Sequence, residues 1–242
     1  MSSKVLFIIG GGPRIGHSVS KKFLREGYQV AIGRRNTEKT AGAEGLDGVV
    51  PVYTDVTKPE SIAAAFEEVE AKLGTPNIVV YNAAAFTPPS DANDPFRVPT
   101  ASFENDLTVN VSGAYTALHH ATQGFQSLKA QSAEGNVPPF VFIATGNVTP
   151  FTPLPIAVTL GTGKAALAYL ISAGAVAYKE AGFRFYFASQ VTEEGRAVSY
   201  PGVSGDAHGD AYWRIVKGEI EEGNWDLRFV ANSDGSAKER RE

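Results

Sequence analysis

Cysteine is absent from the chain, and with it go disulfides, thiolate nucleophiles and cysteine-ligated metal sites. An excess of charge of one sign is also missing. The 22 Lys and Arg stand against 26 Asp and Glu, for a net charge of −4 and a pI of about 5.7, so no general affinity for nucleic acid or anionic membrane is expected. Near the N-terminus there is no long apolar run: Met1-Ser2-Ser3-Lys4 leads into only five apolar residues, Val5 to Ile9. A secretory signal needs a longer stretch, and a membrane span needs about 18 residues or more. The expectation is a cytoplasmic protein with no membrane partner. The composition that is present, 43% hydrophobic and 20% charged over 242 residues, is ordinary for a globular chain.

Apolar runs alternate with longer segments of helical period, the pattern of a parallel sheet covered by helices. Strands are predicted at 5–9, 29–32, 49–53, 77–81, 140–145, 183–188 and 226–230. Helices are predicted at 14–26, 59–73, 101–125 and 162–180. The expected fold is a single-domain α/β, Rossmann-type, doubly wound parallel sheet of seven strands with helices on both faces. It should span residues 1–235, with a substrate lid at about 192–222 and a charged, disordered tail at 236–242.

Gly10-Gly11-Gly12-Pro13-Arg14-Ile15-Gly16 lies between the first strand and the first helix. There, glycines let the backbone turn tightly and approach a pyrophosphate whose charge faces the helix N-terminus. Gly10, Gly12, Ile15 and Gly16 are candidate phosphate contacts. The second strand ends Ala31-Ile32-Gly33-Arg34-Arg35, without the carboxylate that would accept a bond from the ribose 2′-hydroxyl of NAD. Arg34, Arg35 and Arg14 could instead pair with a 2′-phosphate, which points to NADP(H).

The glycine loop resembles the Gly-x-x-x-Gly-x-Gly signature of the short-chain dehydrogenase/reductase superfamily, with Arg14 standing at the middle glycine. That substitution either narrows the loop or supplies a cation beside the phosphates. Asp55-Val56 after the third strand resembles the family's Asp-Val pair at the adenine, and Asn82-Ala83-Ala84 after the fourth resembles its Asn-Ala-Gly motif. The resemblance implies a working set of asparagine, serine, tyrosine and lysine. Asn110, in Val109-Asn110-Val111-Ser112-Gly113, is similar to the family's asparagine. Lys164, in Gly163-Lys164-Ala165-Ala166, is similar to its lysine, which also binds the nicotinamide ribose. Thr145, or else Asn147, stands near the serine, Thr145 being preferred as the contact to a substrate oxygen. Val191 and Thr192 match the carboxamide contacts. The resemblance further implies a homodimer or homotetramer built on the helices carrying Asn110 and Lys164.

Four residues before Lys164, where the family places its proton-donating tyrosine, stands Leu160. Three explanations fit. The proton comes from water ordered by Asn110 and Lys164 or from the substrate; Tyr200 or Tyr212 from the lid replaces the tyrosine; or hydride transfer has been lost. Tyr212 and Trp213 are expected to pack the lid helix, with His208 at the surface. The expected function is an NADPH-dependent reductase of a small-to-medium organic carbonyl, imine or activated alkene. The alternative is an NADP(H)-binding protein without redox turnover, serving as a non-redox catalyst, sensor or scaffold.

Overall fold

In the computed structural model, which describes residues 4–36, 46–133, 138–221 and 223–240, the first strand β1 (Val5–Ile9) is buried along its whole length. Its residues alternate between two cores. Val5, Phe7 and Ile9 face one, Leu6 and Ile8 the other, which is why the run is apolar without alternation. Around it lie β2 (Gln29–Arg34), β3 (Val49–Tyr53), β4 (Ile78–Tyr81), β5 (Phe140–Thr145), β6 (Phe183–Gln190) and β7 (Asp226–Ala231), in the order β3-β2-β1-β4-β5-β6-β7 and all parallel. The strand order reverses between β1 and β4, opening a crevice at the carboxyl ends of the strands.

Helices α1 (Ile15–Arg25) and α6 (Gly205–Lys217) cover the Leu6 face, while α2 (Pro59–Leu73), α4 (Gly113–Gln131) and α5 (Val158–Ala177) cover the Phe7 face. Proline at the first position of α2 fits its preset φ, and Gly74 (φ +96°) lets the chain leave the helix in a conformation other residues avoid. Residues Pro155–Ala177 are long and apolar enough to cross a bilayer by length and composition (mean hydropathy 1.4). Yet Leu167, Ala168 and Ile171 of this stretch pack into the Phe7-face core, so its apolarity serves the sheet.

Several expected boundaries shift. The helix predicted at 101–125 is three pieces: α3 (Thr100–Leu107), a π-helical turn (Thr108–Ser112) and α4. The chain region assigned to a lid contains α6, whose Ala207, His208, Ala211, Tyr212 and Ile215 are buried against the sheet, so only the segment at 191–204 spans the strand ends. Helix α6 lies so close to α1 that a Cβ at Gly205 would come 2.6 Å from the Arg14 carbonyl oxygen. His208 is therefore buried rather than at the surface.

The sheet also has an eighth strand. Residues of the supposedly disordered tail form β8 (Ala237–Glu239), antiparallel to β7; residues 241–242 of that tail lie outside the described residues. Besides the ladder, the Ala237 amide donates to Asp210 Oδ2 at 2.9 Å, and Arg214 Nη1 donates to the Ala237 carbonyl at 2.8 Å. Two α6 side chains thus recruit a segment whose own composition would not order it. Asp210→Ala should cost about 1–2 kcal/mol, a melting temperature lower by roughly 3–8 °C in a calorimetric scan. An unchanged scan would show that the Asp210 bond to the Ala237 amide contributes nothing to stability.

Candidate active site

The crevice at the strand-order reversal is a cleft of about 690 Å³ lined by Gly10, Gly12, Arg34, Arg35, Asp55 and Asn82, among others. Gly10 sits at φ +93°, and a Cβ there would fall 2.4 Å from the Ala83 amide nitrogen. Gly10 and Gly11 donate to the Gly33 carbonyl at 3.0 and 3.1 Å, tying the loop to β2. At Gly12 a Cβ would meet nothing within 4 Å: this is open space beside the backbone. Helix α1 starts directly after, with no side-chain cap and no acidic residue in its first turn; the His17 amide donates to the Gly12 carbonyl at 3.1 Å, and the positive end of the helix dipole faces the loop. These features fit a dinucleotide diphosphate.

Not every residue of the loop faces the cleft. Gly16 packs on Gly11, and Ile15 leans on the Leu6-face core. Arg14 turns away: its guanidinium lies 3.9 Å from the centre of the Tyr200 ring, and Nη1 donates to the Pro201 carbonyl at 3.0 Å. It links the glycine loop to the 191–204 segment. Tyr200 itself is exposed.

Arg34 and Arg35 line the opposite end of the cleft, at the tip of β2. Asp55 beside them is bound by its own turn, accepting from the Thr57 amide at 3.1 Å and hydroxyl at 2.7 Å; these bonds hold its carboxyl below the usual range, with Lys58 and Arg35 adding to the effect. Val56 backs onto the start of α4, where Gly113 leaves no room for a side chain against the Val56 carbonyl. Asn82, Ala83 and Ala84 line the cleft floor. The Asn82 amide donates to the Gly10 carbonyl at 2.7 Å and accepts from the Thr145 hydroxyl at 2.8 Å.

Asn110 is buried in the π-helical turn, a feature recurrent at functional sites. Its side-chain amide accepts from the Ala85 N–H and donates to the Ala85 carbonyl, both at 2.9 Å, so it pins the loop after β4. Gly163 of α5 packs against it. The next residue, Lys164, is 4% exposed; its Nζ donates to the Thr145 carbonyl at 2.5 Å, and burial pulls its pKa down from 10.5 to about 8. Leu160, one turn earlier on the same helix face, is half-buried.

The Thr145 hydroxyl is spent on Asn82 and on the Tyr212 hydroxyl, 2.8 Å away, and does not point into open space as a substrate contact would. Asn147 is half-buried; its Oδ1 accepts from the Thr149 amide at 3.0 Å and hydroxyl at 2.6 Å. Val191 is buried with Val148 and Val230, and Thr192 closes the turn at 192–196 by accepting from the Arg196 amide at 3.2 Å. His208 Nδ1 lies 2.6 Å from the Ser204 carbonyl, and burial lowers its pKa to about 4, leaving it neutral at pH 7. Tyr212 lies within the Leu6-face core, on the α6 side of the sheet, whereas Lys164 comes from α5 on the other. Sequence reasoning missed the Arg14–Tyr200 and Thr145–Tyr212 pairs, because nothing local signals partners 186 or 67 positions apart.

Residues 4–189, from β1 through most of β6, match the sequence pattern of the short chain dehydrogenase family. The chain is similar to Short chain dehydrogenase/reductase dmxR12 of Cryptosporiopsis sp. (strain 8999), with 33% identity over 242 residues covering 95% of this chain and 93% of that one. Its fold is similar to that of 3-ketoacyl-(acyl-carrier-protein) reductase from Brucella melitensis complexed with NADH, at TM-score 0.76 and 21% identity, covering 94% and 97% of the two chains. It is also similar in fold to an ElxO variant with NADPH bound, at TM-score 0.66 and 22% identity over 78% and 73%. The glycine loop at the strand-order reversal and the match running nearly to the end of β6 lead to one assignment: this chain belongs to the short-chain dehydrogenase family, a family of nucleotide-binding oxidoreductases.

Proposed function

We propose that the protein is an NADPH-dependent reductase of a small-to-medium organic carbonyl, imine or activated alkene. The observation that carries the cofactor choice is the tip of β2, where Arg34 and Arg35 line the cleft and no carboxylate follows Gly33. Gly10, Gly12 and the N-terminus of α1 would hold the diphosphate, Asp55, Val56 and Ala84 the adenosine, and Lys164, Val191 and Thr192 the nicotinamide riboside. Bound there, NADPH supplies a hydride to the electrophilic carbon of the substrate.

The proton that completes the reduction comes from Lys164. With Leu160 in the tyrosine's place, its ammonium is the acid nearest the Thr145 backbone, and a pKa of about 8 suits proton transfer near neutral pH. The heteroatom of the substrate takes that proton, or the neighbouring carbon does in an activated alkene, and solvent restores it to the amine. Asn110 holds the loop after β4 in place, and Asn147 is better disposed than Thr145 to donate to a substrate oxygen. Phe86, Phe151, Leu154 and Ile156, exposed on the loops after β4 and β5, make an apolar mouth for a partly hydrophobic substrate. The same reading places the protein in the cytoplasm as a homodimer or homotetramer across α4 and α5, whose outer faces leave Tyr115, Tyr169 and Val176 exposed.

Leu160 favours a second reading, an NADP(H)-binding protein without redox turnover: a cyclase- or isomerase-like catalyst, a sensor or a scaffold. A panel of ketones, imines and enones with NADPH, followed by cofactor absorbance, separates the two. Oxidation of NADPH with at least one member is expected. Tight NADPH binding with no turnover across the panel would leave the second reading standing.

A further inference from the structure

We infer that Tyr212, on α6 and buried in the Leu6-face core outside the cleft lining, is a positioning residue for the glycine loop, acting through Thr145 and Asn82. The inference rests on the reading of the cleft as a dinucleotide site and adds a residue to it.

The chain of bonds has a single possible direction. Asn82 donates its amide N–H to the Gly10 carbonyl at 2.7 Å, so its oxygen faces the other way and can only accept. The hydroxyl of Thr145, 2.8 Å from that oxygen, must use its one proton there. Its lone pair then accepts a hydrogen bond from the Tyr212 hydroxyl, 2.8 Å away. Tyr212 is the first donor of a relay that ends at the Gly10 carbonyl, and reversing a link would leave an acceptor facing an acceptor. Tyr212 is fully buried, and burial pushes its phenol well above the usual range, so it keeps its proton throughout the working pH range.

The end of the relay sets the loop's shape. The Gly10 carbonyl accepts from both Asn82 and the Gly12 amide, at 2.9 Å for the latter, and so defines the tight turn that opens the backbone beside Gly12. Lys164 fixes the backbone at the same point by donating to the Thr145 carbonyl. Thr145 thus ties the amine on one face of the sheet to the phosphate loop and to α6 on the other. Tyr212 cannot serve as the missing acid, because among the described residues its hydroxyl meets the Thr145 hydroxyl alone and is buried from the cleft.

Tyr212→Phe removes one oxygen and keeps the ring. Tyr28→Phe is the control: a buried tyrosine of the same core, whose hydroxyl pairs with Asn77 at the opposite end of the sheet. Two measurements on the intact protein decide the matter. Hydrogen exchange of the peptide covering residues 10–13 in the free protein should quicken in Tyr212→Phe and not in Tyr28→Phe. NADPH titration should show roughly fivefold weaker binding in Tyr212→Phe, the size of one net hydrogen bond, with KM for NADPH rising and kcat holding. Thr145→Val should match it, and the Tyr212→Phe/Thr145→Val double variant should add nothing further. Unchanged exchange in Tyr212→Phe, or quickened exchange with wild-type NADPH affinity, overturns the inference. Quickened exchange in a wild-type background that binds no dinucleotide would instead overturn the cofactor reading and leave the relay's hold on the loop intact.

Discussion

Lys164→Met should cut the rate of reduction by about 10²–10⁴-fold and at the same time raise the melting temperature. Among the described residues the buried amine has one hydrogen-bond partner, the Thr145 carbonyl, and no carboxylate beside it, so the fold carries a desolvated charge that the proposed proton transfer would require. With a folded pKa of about 8 against 10.5 unfolded, the penalty is fully present below about pH 8 and is on the order of 3 kcal/mol. Between those values the unfolded chain binds more protons than the folded one, so stability rises with pH across that window and levels off above it. Methionine fills the same volume without the charge and abolishes this pH dependence. The catalytic expectation has the opposite sign. A lost general acid costs about 10²–10⁴ in kcat, and in the wild type the reductive rate should fall as pH climbs through about 8 and the ammonium gives up its proton. Paired thermal scans and pH–rate profiles check both halves. A Lys164→Met enzyme within about tenfold of wild-type kcat would remove Lys164 from the proton path.

The second large effect concerns the extra phosphate. Arg34→Ser combined with Arg35→Asp should weaken NADPH by about 10²–10³-fold and leave NADH favoured. Each charge-assisted bond to a phosphate contributes roughly 1.5–3 kcal/mol, and the new carboxylate both repels the 2′-phosphate and accepts from a ribose hydroxyl. Asp55 already stands beside Arg35, so the reversal places two acids at the tip of β2 where the wild type balances one with two guanidinium groups. Wild-type NADPH affinity should fall steeply with salt, because the pair is only half-buried to exposed. Calorimetric titrations of both dinucleotides into both proteins make the comparison. A wild type that prefers NADH would contradict the assignment outright.

The order of elements, the doubly buried first strand and the tight glycine turn could be read from residues alone because each is encoded within a few positions. Val5 to Ile9 must be apolar on both faces to sit mid-sheet. Gly10 must lack a Cβ because Ala83 lies against it, and a glycine cluster between strand and helix announces that need. Arg34 and Arg35 follow from their place at a strand end. Asn110 and Lys164 were legible through family resemblance and are brought near one another by the packing of Gly163 on Asn110.

The direction of side chains at the site was decided only by tertiary structure. Thr145 follows Ile143 on the α6 side of the sheet, so the pleat sends its hydroxyl to Asn82 and Tyr212 and leaves only its carbonyl for Lys164. The glycine loop by itself offers Arg14 as a phosphate ligand, yet it stacks on Tyr200, a residue 186 positions away whose approach no local pattern encodes. The charge of the tail argues for disorder, yet Asp210 and Arg214 of α6 supply the partners that hold Ala237–Glu239 as β8. Sequence determines what a segment requires: apolar cover, a free amide, a missing Cβ. Which distant partner meets that requirement depends on how helices stack on the sheet, and that is a property of the whole chain.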